Sequence, residues 1–376
     1  MRNIVAFLIA IGLLSCQGNE TKTVKLLDPN KFITLVDEKN VSLYTLESGN
    51  GIYMQVTNFG GRVVSLWTPD RKGKYEDIVL GYDNIEAYLH NEGERFLGPV
   101  VGRFANRIAN GRFDLDGITY NLPINNNGQT LHGGLKGLDM VVWDVDKISK
   151  NEISFSYISP DGEEGFPGTL RMEMTYMLTA DNEFKIIYKA VTDKPTVVNL
   201  SHHGLFNLKG EGNGTITDHV LTIHADYITP VNKMLIPTGQ LQSVDNTPFD
   251  FRKPIAIGAR IDASDEQLRN GAGYDHNWVV DTHLSNDVKC MAMLYEPSTG
   301  RAVEVWSDQP GIQFYSGNFF NGKVSGKYGK TQNYREALAL ETQKFPDSPN
   351  QPHFPSARLN PGETYSHTCI YKFFVK

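Results

Sequence analysis

Leu170-Arg171-Met172-Glu173-Met174-Thr175-Tyr176-Met177 alternates apolar and polar side chains with a period of two. That is the pattern of a strand with one face on a core and the other in water. Working outward, short runs rich in Val, Ile, Thr, Tyr and Phe recur at 41–46, 52–59, 63–68, 153–158, 169–179 and 184–192, then at 220–223, 288–295, 303–307, 312–315, 337–341 and 366–375. Turn chemistry punctuates them: Ala180-Asp181-Asn182, Ser298-Thr299-Gly300 and Asn360-Pro361-Gly362. Helical periodicity is confined to two short stretches, 84–91 and 264–269, too little to cover a parallel sheet. The expectation is an all-β chain of mainly antiparallel strands, a sandwich or barrel forming one large domain without internal repeats.

The chain has 376 residues, with 43 acidic and 36 basic side chains for a formal net charge of -7, and contains 35 Gly, 18 Pro and 3 Cys. This composition excludes disordered, collagen-like and disulfide-scaffold classes. A mildly acidic chain without a basic patch offers nothing to a phosphate backbone, so nucleic acid is not expected as a partner. At the N-terminus Arg2 precedes an apolar run of 11 residues, 4–14, about half the 20 or so needed to span a bilayer. Leu13-Leu14-Ser15-Cys16 follows and resembles the lipobox of bacterial lipoproteins. This predicts a signal peptide over 1–15, lipidation of Cys16, a tether over 16–30 and the β domain over 31–376. The protein would sit on the bacterial cell envelope, its soluble domain facing the periplasm or the exterior, with the lipid anchor its one contact with membrane. Cys290 and Cys369 remain, either paired or as buried free thiols.

Six stretches carry polar residues and glycines too densely for core strands, and read as site-bearing loops. They are 102–108, with Asn106, Arg103 and Arg107; 125–134, with His132; 199–207, with His202 and His203; 273–278, with Asp275; 309–315, with Gln313; and 338–343, where Glu341 interrupts an apolar run. Several have bland readings: the arginines as a solvated edge, the loop histidine as surface polarity, Glu341 as half of an ion pair. Adjacent His202 and His203, if extended, point to opposite faces. Amides, carboxylates, imidazoles and guanidinium groups beside Trp, Tyr and Phe suit a neutral, hydroxyl-rich ligand, and sugar is the natural candidate.

Gly102-Arg103-Phe104-Ala105-Asn106-Arg107-Ile108-Ala109-Asn110-Gly111-Arg112-Phe113 closely resembles the signature of the aldose 1-epimerase (galactose mutarotase) family. Five further blocks, 130–134, 159–168, 273–277, 310–318 and 340–343, resemble family segments in the same order, so the resemblance spans roughly 33–375. It implies a β-supersandwich and an isomerase of carbohydrate metabolism that interconverts α and β anomers of free aldohexoses such as galactose or glucose. Matched position by position, Glu341 is implied as general base and His203 as general acid, with Asn106, Arg107, His132, Asp275 and Gln313 on the sugar. Reference pKa values of about 4.3 for Glu and about 6.5 for His would let the pair hold opposite protonation states near neutrality. No cofactor or catalytic metal is required by the chemistry; a bound Ca²⁺ is left open, since some relatives are associated with that ion. A monomer is expected. Leu205 stands where the family usually has Tyr, an expected loss of a hydroxyl and an aromatic edge from the site. The competing reading is a non-catalytic sugar-binding surface lipoprotein on the same scaffold.

Overall fold

The computed structural model describes residues 24–90, 93–281 and 287–376. The expected signal peptide and Cys16 lie outside the described residues. Leu170–Leu178 is a strand whose Leu170, Met172, Met174, Tyr176 and Leu178 are buried, while Arg171 and Glu173 face water. It pairs on one side with Glu152–Ser159 and on the other with Glu183–Thr192. These are three of nine strands in one sheet, which continues through Tyr365–Val375, Arg301–Ser307, Lys289–Tyr295, Val220–Ile223 and Ile255–Ala256 and is edged at its other end by Asp144–Ile148. The chain's last strand thus lies in the middle of the sheet.

A second sheet has six strands in the order Leu205–Phe206, Leu338–Gln343, Gly311–Tyr315, Asp275–Val279, Tyr227–Thr229 and Gln242–Ser243. A third has four: Leu43–Glu47, Tyr53–Thr57, Arg62–Pro69 and Tyr75–Asp77. Every pairing between these strands is antiparallel. One apolar cluster joins the three: Met54 and Leu66 from the small sheet, Met174 and Phe184 from the large one, Phe314 and Leu340 from the six-stranded one. Burial of this shared core is the main favourable term of the fold.

Among the described residues, two short α-helices occur, Ile85–Leu89 and Glu266–Gly271, where the sequence pattern placed them. Each begins at a side-chain cap: Asn84 accepts from Ala87 N–H, and Asp265 from Gln267 and Leu268 N–H. No helix among them is long and apolar enough to cross a membrane. Cys290 and Cys369 are free. Cys290 opposes Trp306 and Cys369 opposes Ser307, so the two lie on strands flanking Arg301–Ser307. Two inter-strand steps of about 4.8 Å each exceed the reach of a disulfide.

The stretch around Asp275, read from sequence as a loop, is a buried strand, and Gln313 and Glu341 lie on the buried strands that the runs at 312–315 and 337–341 predict. In register, Glu341 opposes Gln313, Gln313 opposes Asn277, and Tyr315 opposes Asp275. With the two-residue period, Glu341, Gln343, Gln313, Tyr315, Asp275 and Asn277 share one face, while Leu338, Leu340, Ile312, Phe314 and Trp278 turn into the core. High polarity here marks a polar sheet face rather than solvent.

Candidate active site

That polar face is the floor of a cavity of about 230 Å³, a volume on the scale of one monosaccharide. Glu341, Asp275 and Tyr315 rise from the sheet; Asn106, Arg107, Asn126, Leu131 and His132 form one wall; Glu94, Phe96, His203 and Phe319 complete it.

The wall is built by two loops that cross-link through Asn106 and His132. Arg107–Ile108 pairs with Thr130–Leu131 in a two-residue ladder. Asn106 N–H donates to His132 Nδ1 at 3.1 Å, and His132 N–H returns a bond to the Asn106 carbonyl at 3.0 Å. Both residues adopt positive φ, 65° and 50°, a conformation costly for side-chain-bearing residues that persists where surrounding bonds dictate it. Because Nδ1 accepts a main-chain proton, the neutral ring carries its own proton on Nε2. His132 is therefore a hydrogen-bond donor at Nε2. The Asn106 side-chain carbonyl accepts from Arg107 N–H at 2.9 Å, which leaves its amide group as the free donor.

His203 is held by its backbone: its N–H donates to the Pro99 carbonyl and its carbonyl accepts from Gly98 N–H, each at 2.9 Å. Its Nε2 lies 3.6 Å from Glu341 Oε1, with both side chains nearly fully buried. Arg107 Nη1 stands 3.8 Å from Asp275 Oδ2 and its Nε donates to Asn126 Oδ1 at 3.4 Å. The cavity thus gathers three carboxyl groups, two imidazoles and one guanidinium.

Burial moves the carboxyls and the imidazoles in one direction, toward the neutral form. Glu341 is pushed well above the usual carboxylate range by desolvation and by the nearby Asp275 and Glu94 charges, with Arg107 opposing. Asp275 is raised by burial against the pull of Arg107 and of Gln313. Desolvation depresses His203 to about 4 and carries His132 well below 6.5. The reference values used in the sequence reading therefore do not hold here: burial raises the base and lowers the acid, so the two pKa values move toward each other.

The structure brings Glu341, His203, Asn106, Arg107, His132 and Asp275 together on one cavity. Gln313, expected on the sugar, shares that sheet face but does not line the cavity, and its amide donates to Asp275 Oδ1 at 2.7 Å. Its place in the middle of the sheet gives it a partner carboxylate instead. Leu205 also departs from expectation, for its side chain packs in an apolar cluster with Leu80, Tyr315 and Ala339 and leaves the cavity wall untouched. His202 points the other way, as the alternation argument requires, against Tyr176, Phe184 and Tyr371. Arg103 is no solvated edge: buried, it donates to Ser159 Oγ and to the carbonyls of Ser159, Pro160, Pro167 and Gly168.

Sequence reasoning missed Glu94, Phe96 and Phe319 in the wall, and no periodicity or turn signal marks them. Tyr315 was within reach, since it sits two residues from Gln313 on the same strand face.

His132, His203 and Glu341 lie close enough that one ligand atom from each falls within 4.8 Å of the others. The donor set does not fit a metal: the Asn106 main-chain N–H occupies the His132 Nδ1 lone pair, so Nε2 is protonated and has none to give.

Comparison with known proteins agrees with this geometry. The family model described as Aldose 1-epimerase matches residues 42–372. A galactose mutarotase of Bos taurus is 42% identical over 335 residues, covering 89% of this chain and 94% of its own. An aldose 1-epimerase of Escherichia coli (strain K12) is 36% identical over 344 residues, covering 90% and 97%. Among solved structures, an aldose epimerase homologue from C. elegans superposes with a TM-score of 0.81 at 29% identity, covering 89% of this chain and 99% of that one. A galactose 1-epimerase from Lactobacillus acidophilus NCFM gives 0.78 at 28% identity, covering 91% and 97%. The polar sheet face, the paired loops that carry Asn106 and His132, and these likenesses together place the chain in the aldose 1-epimerase family.

Proposed function

We propose that this protein is a mutarotase, an isomerase that interconverts the α and β anomers of free aldohexoses, with Glu341 as base and His203 as acid. The observation that carries the reading is the 3.6 Å approach of His203 Nε2 to Glu341 Oε1 inside a cavity of sugar size. The C1 hydroxyl and the ring oxygen are bonded to the same carbon, so the group that removes one proton and the group that supplies the other must converge. Glu341 takes the C1 hydroxyl proton while His203 protonates the ring oxygen; the C1–O5 bond breaks and an aldehyde forms. Rotation about C1–C2 presents the other face, and closure returns both protons with the roles exchanged. The raised carboxyl pKa makes the carboxylate a stronger base and the lowered imidazole pKa makes the imidazolium a stronger acid, while burial makes both charged forms scarcer. His132 Nε2–H, the Arg107 guanidinium and the Asn106 amide supply donors to sugar oxygens, and fixed donors in a dry site stabilise charge that develops on them. Asp275, steadied by Gln313, accepts from sugar hydroxyls.

No step changes an oxidation state, so a redox cofactor has none to serve. Polarimetry on freshly dissolved α-galactose and α-glucose tests the assignment. Glu341→Gln and His203→Asn should each lose about 100-fold or more of kcat, the usual worth of general acid–base catalysis. Sugar binding by calorimetry with no acceleration by the parent would overturn the enzyme reading and favour the binding lipoprotein.

We further propose that Cys16 carries a lipid that holds this domain at a bacterial envelope surface; the apolar run 4–14 and the Leu-Leu-Ser-Cys tetrapeptide support this. Cys16→Ala should move the protein from the membrane fraction to the soluble fraction, and an unchanged distribution would remove the anchor from the account.

A further inference from the structure

Phe96 is half-buried and lines the cavity, yet its closest ring neighbours are the two histidines. Its ring centroid lies 4.6 Å from that of His132 and 5.8 Å from that of His203, and the two imidazoles meet edge to face at 5.1 Å. Three rings thus form one packed unit in which moving any member disturbs the other two.

The unit is backed by a fixed cation. The Arg95 guanidinium sits 5.0 Å over the Phe96 ring. Arg95 does not float there: its Nε and Nη2 grip the two oxygens of the fully buried Asp139 carboxylate at 2.7 and 2.9 Å, and Nη1 donates to the Gly134 carbonyl at 3.2 Å. A forked pair of this geometry fixes the guanidinium plane. Gly134 and Asp139 belong to the loop that also carries His132, and Gly98 and Pro99, just beyond Phe96, hold the backbone of His203. Arg95 and Phe96 therefore bridge the two chain segments that present the two imidazoles.

We propose that Phe96, braced from behind by Arg95, is a positioning residue that holds the His203 and His132 rings in their working orientation toward the sugar. The inference rests on the mutarotase reading. The Phe96 side chain has no polar atom and moves no proton, while its main chain opposes the lowering of the His203 pKa by burial. Its role is to deny the imidazole of His203 other rotamers and to keep water from its flank, while Glu341 faces the ring at Nε2, His132 from the side and Arg62 acts from further off.

Two variants in the full chain test this. Phe96→Leu keeps an apolar side chain but removes the flat face; it should lose about 10- to 100-fold of kcat, part of the worth of a well-placed acid, with KM within about threefold of the parent. Phe96→Tyr restores the ring and should return kcat to within about threefold of the parent. Independently of turnover, the His203 ring proton followed by NMR should titrate at a higher midpoint in Phe96→Leu, by about one unit, because the exposed flank hydrates the charged form. A rise in KM at unchanged kcat would make Phe96 a platform for the sugar and overturn the proposal, as would a Phe96→Leu enzyme with parental kcat and parental titration. If the parent itself fails to accelerate mutarotation, the functional reading falls, whereas the titration still reports whether the brace holds the ring.

Discussion

Glu341 and His203 show how far an environment moves a residue from its reference chemistry. The carboxyl is raised first by burial and then by two neighbouring acids, Asp275 and Glu94, and the imidazole is lowered by burial to about 4. Two groups this close titrate as a pair, and the pH profile reports the pair. The base works ionised, so activity falls as pH drops through a limb that lies above the free glutamate value. Glu94 contributes to that height. Replacing it by Gln removes a negative charge from the cavity, which makes Glu341 easier to ionise, and the acid limb of kcat/KM should move to lower pH. A limb that stays in place would show that Glu94 does not act on Glu341 through its charge. Leu205 illustrates the opposite case, a departure from the family pattern that looks chemical in sequence and is absorbed by packing behind Tyr315.

At the scale of the element, Leu338–Gln343 carries two opposed faces. Leu338 and Leu340 enter the core; Glu341 and Gln343 enter the polar face, where Gln343 Nε2 donates to Asn277 Oδ1 at 3.2 Å and to Gln313 Oε1 at 3.4 Å. Such amide bonds hold the floor of the cavity in register. Directly after the strand comes Lys344, 6% exposed, its ammonium 5.3 Å over the Tyr365 ring and, among the described residues, with no carboxylate in ion-pair range. Burial lowers its pKa from 10.5 to about 8. The fold therefore disfavours the charged form. The cost is fully present below pH 8 and fades as pH rises from there toward the unfolded value of about 10.4. Lys344→Met should stabilise the protein by about 1–3 kcal/mol at pH 7, an advantage that shrinks above pH 8. Urea midpoints at pH 7 and pH 10 check both statements.

Across the whole molecule, distant segments are joined by buried charge. Lys327, fully buried, donates from Nζ to Asp77 Oδ2 and to the Val64 carbonyl at 2.6 Å each, and to the Val79 carbonyl at 3.0 Å, while Glu211 Oε2 lies 3.3 Å away. The cluster ties 326–330 to the four-stranded sheet across about two thirds of the chain. Its net worth against an apolar replacement of all three groups is small, but removal of one partner strands the others. Lys327→Met should cost about 3–5 kcal/mol in urea unfolding, since two carboxyls lose their cation, with Asp77→Asn in the same background recovering part of the loss. Much of the architecture was legible in the chain itself: period-two alternation marks strands wherever one face is wet, as in Leu170–Leu178, and short helical periodicity at 84–91 and 264–269 marks both helices. The site was legible as residue types in six stretches, because acid–base chemistry on a sugar draws on few side chains. Where the stretches fall was not, since a polar strand face and a loop have the same local composition, and Asp275–Val279 was read as the wrong one. Local sequence determined which residues are strands, short helices and candidate chemistry. The three-sheet arrangement alone decided that Gln313 bonds Asp275, that Leu205 is core, that Phe96 meets two histidines, and which way each buried pKa moves, because those properties depend on neighbours dozens to hundreds of residues away.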